Sequence, residues 1–392
     1  ASASPLNSGY GGYTMDVKEI TNNGPKAVSP ELDAFIKANH KKKFRFGIIA
    51  ALLCAIYWGV WYVPGYAVWE MPDFLPAAMD NMVAAGYGDD VTYTMACILL
   101  CLVNAIIDTL ILFIWNGALG KMGELKRTFV EFKAANIYFV YAGICGAGAV
   151  FGTYVAAQFL NPGFAAVAGV LYALVGTIMS VLYLHQKVTK RGYIAVVIMI
   201  VGAFVLFAGT IFGGQESSNM ALGVIGGAMC AICWGLEGTF AGKALDYCEP
   251  DCGIQLRFFW EMILWIIVCV VLAITGVPIF STIGAIVTDP YILLVVILLG
   301  FSFAWCYVTW YKSFPFIGVA RGQAIGSLYA ACSIIFMVLF FGVDNAIGGH
   351  DMAHVLPTVG GLIICLFGSY LIATEDAEGL VSLKDDSVMG GH

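Results

Sequence analysis

Long apolar runs separated by short polar connections fill residues 47–373. A hydrocarbon core of about 30 Å takes roughly 20 apolar residues in a helix. The pattern predicts spans at 47–69, 92–116, 136–160, 163–184, 192–212, 221–243, 254–275, 290–312, 316–341 and 355–373. Residues 1–46 are polar, so the first run is read as an anchor and no cleavable secretory leader is expected. Within that tail, Ser29-Pro30-Glu31 resembles a helix start, and Leu32, Phe35 and Ile36 follow at helical spacing with Lys37 and Lys41 to Lys43 beyond. This predicts a short helix lying on the inner membrane surface, with an ordinary cytoplasmic helix as the alternative. The one long outer connection, 70–91, is acidic and suits a small helix over the outer mouth, acting as a lid or cation funnel, or a solvated linker.

The runs repeat. Cys54-Ala55-Ile56-Tyr57-Trp58-Gly59 returns as Cys230-Ala231-Ile232-Cys233-Trp234-Gly235, Leu171-Tyr172-Ala173 as Leu328-Tyr329-Ala330, and Gly202-Ala203-Phe204-Val205-Leu206 as Gly368-Ser369-Tyr370-Leu371-Ile372. Breakers repeat with them: Asn161-Pro162-Gly163 and Phe314-Pro315-Phe316 each predict a tight turn between the third and fourth helices of a half. Five spans per copy is an odd number, which forces the second copy to enter the bilayer from the opposite side. The expected fold is therefore all-α and integral to the membrane, ten transmembrane helices as two inverted five-helix repeats, 47–212 and 221–373. A cytoplasmic tail precedes them (1–46) and an acidic one follows (374–392).

Composition agrees, because 60% hydrophobic and 11% charged residues cannot cover a soluble globule. Of 19 Lys and Arg, all but Arg321 fall to connections or span ends on one side. The positive-inside rule then makes both termini cytoplasmic in a plasma or inner membrane. The net charge of −7 offers no basic patch, so no nucleic-acid partner is expected. Ten of twelve cysteines lie in apolar runs, and Cys248 and Cys252 fall on the reducing side, so no disulfide is expected. His350-Asp351 with His354, and Cys248 to Cys252, lack structural-zinc spacing.

The Trp-Gly centred in the first helix of each half, Leu256-Arg257-Phe258 opening the seventh, and the run from Gln158-Phe159-Leu160 through His185-Gln186-Lys187-Val188-Thr189 to Gly192 resemble the drug/metabolite transporter superfamily, in its ten-helix EamA-like branch. The resemblance covers about 47–373 and implies alternating access to a central cavity, with import or export of a small organic solute. One departure is Leu184-His185, where the family often carries Gly-Glu. A role for that glutamate is not transferred.

Charges inside a span are costly and mark a partner or a wet cavity. There are five: Asp108, Glu237, Arg257, Glu261 and Arg321. Arg257 and Glu261, one turn apart, are expected to pair as an ion network, leaving Arg321 to choose between Asp108 and Glu237. One acid stays unmatched, to bind protons or a cationic solute, unless the whole set is a structural network. Glu237 is preferred for that role, since it stands where Trp61 stands in the first copy, and Asp108 with Asn104 one turn before it comes next. Trp58, Trp61, Trp234 and Trp305, with Tyr57, Tyr62 and Trp260, supply rings for a cation or a sugar face. Trp69, Trp115 and Tyr311 read as interfacial anchors. Pro64 predicts a kink in the first helix, and Gly148 with Gly152 a close-packing step in the third.

The expected function is that of a secondary transporter in a lipid bilayer, leaning to a cationic or zwitterionic solute, with proton coupling and a homodimer both open. A sugar or anionic-metabolite carrier of the same fold is the alternative. A membrane enzyme lacks a nucleophile–base pair or cofactor fingerprint here, and a non-transporting scaffold would have no use for buried charges.

Overall fold

A computed structural model describes residues 30–160, 162–206, 208, 219–347 and 352–374, and helices joined by short turns account for nearly all of them. The elements are α1 (Pro30–Glu70), α2 (Phe74–Ala84), α3 (Asp89–Ala118), α4 (Met122–Val130), α5 (Lys133–Phe159), α6 (Pro162–Val170), α7 (Tyr172–Leu182), α8 (Lys190–Leu206), α9 (Met220–Ala244), α10 (Pro250–Ile274), α11 (Ile279–Thr288), α12 (Pro290–Ile317), α13 (Val319–Gly326), α14 (Tyr329–Ile347) and α15 (Met352–Ala373). Among the described residues nine helices are long and apolar enough to cross a membrane. Large apolar side chains remain exposed along them, among them Phe113 and Ile114 on α3 and Leu339 and Phe340 on α14. A helix satisfies its own backbone and such a surface suits hydrocarbon, so the chain is a multi-pass, all-α membrane protein.

Several elements differ from expectation. The surface helix expected near residues 29–43 is no separate element: α1 is a single 41-residue helix through that stretch and through Pro64. No proline interrupts residues 31–63, and Gly47 sits where α1 meets α12, a Cβ there falling 2.7 Å from Ile317 Cγ2. The turn expected at Phe314-Pro315-Phe316 comes later, because α12 runs through Pro315 and the chain reverses at Gly318, whose φ of 77° suits glycine. Two short helices lie where connections were expected, α4 and α11. The small helix expected in 70–91 is α2, and it packs against α11.

Helix contacts fall in matched pairs. α1 packs on α12 and α14, while α9 packs on α5 and α7; α3 lies on α10, and α8 on α15. The closest approaches use glycine. A Cβ on Gly59 would lie 2.5 Å from Cys332 Cβ of α14, and one on Gly235 2.5 Å from Val175 Cβ of α7. Gly152 of α5 faces Gly226 of α9, where an added Cβ would stand 2.5 Å from the Gly226 carbonyl. Small residues let helices approach this closely in lipid, where packing rather than hydrophobic exclusion holds them together.

Candidate functional site

The matched tripeptides mark two breaks. One spanning segment is interrupted at Leu171, between α6 and α7, and another at Ser327-Leu328, between α13 and α14, each just before its repeated tyrosine. The Tyr172 hydroxyl donates to the Gln323 carbonyl (2.8 Å) and the Tyr329 hydroxyl to the Ala166 carbonyl (3.0 Å), so each tyrosine satisfies a carbonyl of the other broken segment. Between them lie the two repeated tryptophans. Trp58 stacks on Tyr329 (4.7 Å between centroids, 20°) and meets Trp234 edge to face at 4.8 Å, and all four rings are fully buried. Offset and edge contacts of this kind are the favoured aromatic geometries. Trp58 and Trp234 thus stand together in one buried ring cluster.

The charges gather beside this aromatic core. Arg257 Nε donates to Glu237 Oε1 at 2.5 Å, and its Nη1 pairs with Glu261 one turn along α10. The guanidinium also lies over the rings of Phe258 (4.1 Å) and Tyr307 (4.5 Å) and against Gly146 of α5, where a Cβ would stand 1.8 Å from Nη2. The Tyr307 and Tyr311 hydroxyls donate to Glu237 at 3.0 and 3.4 Å, and Trp234 Nε1 donates to the Tyr307 hydroxyl at 2.9 Å. A buried ion pair holds only when hydrogen bonds satisfy its remaining lone pairs, and the tyrosines supply them here. Two corrections follow. Glu237 is paired, and its partner is Arg257 rather than Arg321; its ring neighbours are Tyr307 and Tyr311, while Trp61 stacks instead on Phe303 at 5.0 Å. Tyr311 is no interfacial anchor, being fully buried on Glu237.

Arg321 engages neither Asp108 nor Glu237. It is 9% exposed on α13 and donates to the Ile317 carbonyl at 3.4 Å. Asp108 lies on α3, fully buried; one carboxylate oxygen accepts from Asn104 Nδ2 at 2.7 Å and the other has no partner. Trp305, half-buried on α12, meets Trp115 edge to face at 4.6 Å, outside the central cluster. The expected Arg257–Glu261 pair is present.

Comparison with known proteins adds the fold alone. No family model matches the chain, and no curated protein does. Among 27 similar chains of solved structures is one titled "Crystal structure of protein", 14% identical, with a TM-score of 0.51 over 83% of this chain and 98% of that one.

A second polar cluster went unread in the sequence. At the N-terminus of α10, Asp251 is held by Lys121 Nζ (2.5 Å), Lys312 Nζ (2.8 Å) and Trp115 Nε1 (3.0 Å), and its carbonyl accepts from Asn116. Glu249 caps the helix, accepting from Asp251 N and Cys252 N, and also pairs with Lys121 at 2.7 Å. Trp115 is therefore tied into this cluster rather than free at an interface. Glu249-Pro250-Asp251 did carry a helix-start signal, a cap followed by proline and an acid. The lysines, 130 and 61 positions away, had no local link to it. Lys121 titrates above its ordinary value: burial opposes this, but the hydrogen bonds to Asp251 and Glu249 outweigh it. Among the described residues no group of three or more His, Cys, Asp or Glu could hold a metal. His350 and Asp351 lie outside them, and His354 falls in α15.

Proposed function

We propose that this chain is a secondary transporter of the EamA-like kind, moving a small organic solute by alternating access between two inverted five-helix repeats. The observation that carries this reading is the pairing of contacts. Under a pseudo-twofold axis in the membrane plane that exchanges α1 with α9, α5 with α12, and the α6–α7 segment with α13–α14, the packing of α1 on α12 and α14 becomes that of α9 on α5 and α7. Gly59 against Cys332 and Gly235 against Val175 are then one contact seen twice. In this reading α8, with 17 described residues, is the tenth spanning helix and the counterpart of α15, on which it packs. Discontinuous helices at corresponding places of two repeats, with buried charge beside them, are typical of solute sites near the bilayer midplane.

Both termini face the cytoplasm in this proposal, which puts the Asp251 cluster at the inner mouth, where it ties α3 of the first repeat to α10 and α12 of the second. Fully buried around Arg257 are three acids, Glu237, Glu261 and Asp108. That excess of acid favours a cationic or zwitterionic solute, with protons as the coupling ion, over a phosphorylated or carboxylate one.

Flux tests it. Purified protein in liposomes should move at least one of a panel of amines, amino acids and sugars down its gradient, faster when an opposing proton gradient is imposed. Turnover of a substrate without flux would favour an enzyme, and neither would favour a scaffold.

A further inference from the structure

The acids around Arg257 are unequally served. Glu237 and Glu261 share the guanidinium, and two tyrosine hydroxyls complete the Glu237 carboxylate. Asp108 has one donor, its helix neighbour Asn104, and its Oδ1 points toward Gly300 of α12, 3.2 Å from where a Cβ there would stand. The groups facing it are Arg257 and Glu261 of α10, Cys306 of α12 and Tyr154 of α5. The single cation of that set is already divided between two carboxylates.

What this place lacks is hydrogen-bond partners. Asp108 Oδ1 and Asn104 Oδ1, which only accept, and the Tyr154 hydroxyl, which accepts as well as donates, are buried without one. Each polar group buried without a partner loses its hydration and gains nothing for it, and a carboxylate loses the most. Rings adjoin Tyr154: the Trp61 ring lies 5.9 Å from it and stacks on Phe303. A positive group carrying three N–H bonds would satisfy the oxygens, neutralise Asp108 and lie against ring faces. A quaternary ammonium has the charge without the donors, and an anion has neither. We infer that Asn104, Asp108 and Tyr154 form a subsite for the protonated primary amine of the transported solute, an assignment that rests on the transport reading above.

The test is ligand-induced thermal stabilisation of the full-length protein in detergent, with ethanolamine, choline, glucose and acetate as probes. Ethanolamine should stabilise the protein, and choline should need a concentration at least about tenfold higher, the worth of one or two charge-assisted hydrogen bonds. Asp108→Asn should weaken ethanolamine by a similar factor. So should Tyr154→Phe, which keeps the ring and removes only the hydroxyl; it carries the test should Asp108→Asn not fold. Because a proton competes for the same carboxylate, the half-maximal ethanolamine concentration should rise as pH falls, and this dependence should vanish in Asp108→Asn. Three results would overturn the subsite: no stabilisation by ethanolamine, choline binding as well as ethanolamine, or ethanolamine binding untouched by Tyr154→Phe. Glucose flux in liposomes without ethanolamine binding would sink the subsite and leave transport standing. Ethanolamine binding that depends on Tyr154 and Asp108, with no flux of any solute, would do the reverse.

Discussion

Arg257 is the residue on which the buried charges converge, and its neighbours say how much depends on it. Its guanidinium reaches two acids and lies over two rings, so Arg257→Leu leaves Glu237 and Glu261 without a counter-ion in a dry interior. Breaking a buried pair from one side costs about 3–5 kcal/mol. The expected outcome is a large fall in melting temperature and in folded yield, read by fluorescence-detected size exclusion, with partial rescue when Glu237→Gln and Glu261→Gln are added. A rescue that failed would mean that the acids are not what the missing cation harms. Gly146→Ala should act on the same network from α5, since its methyl would occupy the place of Arg257 Nη2. At the same scale, burial pushes up the Cys248 thiol, whose Sγ also contacts the Ala244 carbonyl at 3.6 Å. A thiol held protonated is a poor nucleophile. Cys248 should therefore resist iodoacetamide near neutral pH for far longer than a free thiol, as peptide mass mapping would record.

Among elements, the helix crossings carry the argument. If Gly59 and Gly235 are one contact repeated, then Gly59→Ala and Gly235→Ala should destabilise by similar amounts, about 1–3 kcal/mol for overpacking a tight site. Unequal losses, one large and one nil, would count against the repeat. Gly65, whose Cβ would meet only Leu299 Cδ1 at 3.6 Å, is a control that should tolerate alanine. The same scale shows why some elements were illegible in the sequence. α4 and α11 have nine and ten residues, too short for their periodicity to stand out from a connection. α11 packs on α2, α12 and α10, contacts that no local pattern announces. α1 was legible as a helix in two parts and as one only in three dimensions, because continuity across Gly47 depends on what α12 places beside it.

For the whole molecule, the Asp251 cluster joins α10 to α3 and α12, and under the proposed function it would serve as a latch between the two halves. In the proposed cycle it closes the inner mouth, so Asp251→Asn, which keeps the side chain's size and removes its charge, should shift the protein toward an inward-open state. A cysteine introduced at Asn116, whose side chain bonds the Asp251 carbonyl, should then label faster from the inner side. Unchanged labelling would make the cluster a fixed strut. The latch has a pH signature of known sign. Lys121 titrates above its ordinary value in the folded protein, so the stability it contributes is complete below the unfolded lysine value of about 10.4 and is lost as pH rises beyond the folded one. Melting temperature should fall more steeply above about pH 10.5 in the parent than in Lys121→Gln.

The amino-acid sequence by itself determined the class, because hydrophobicity and length are local and additive: runs of about 20 apolar residues need no knowledge of their neighbours to be read as spanning helices. It also determined the Arg257–Glu261 pair, since one helical turn brings residues four apart together wherever the helix goes. Repetition, too, is a property of the string, and Trp58 with Trp234 and Tyr172 with Tyr329 were legible as matched pairs. Which acid each arginine meets was not. Arg257 to Glu237 and Lys121 to Asp251 join residues 20 and 130 positions apart through helix rotation and depth, and a charge in low dielectric takes whichever partner packing brings within hydrogen-bond reach. Only the tertiary structure decided that Glu237 is satisfied, that Arg321 lies elsewhere, and that Asp108 keeps an oxygen with no donor.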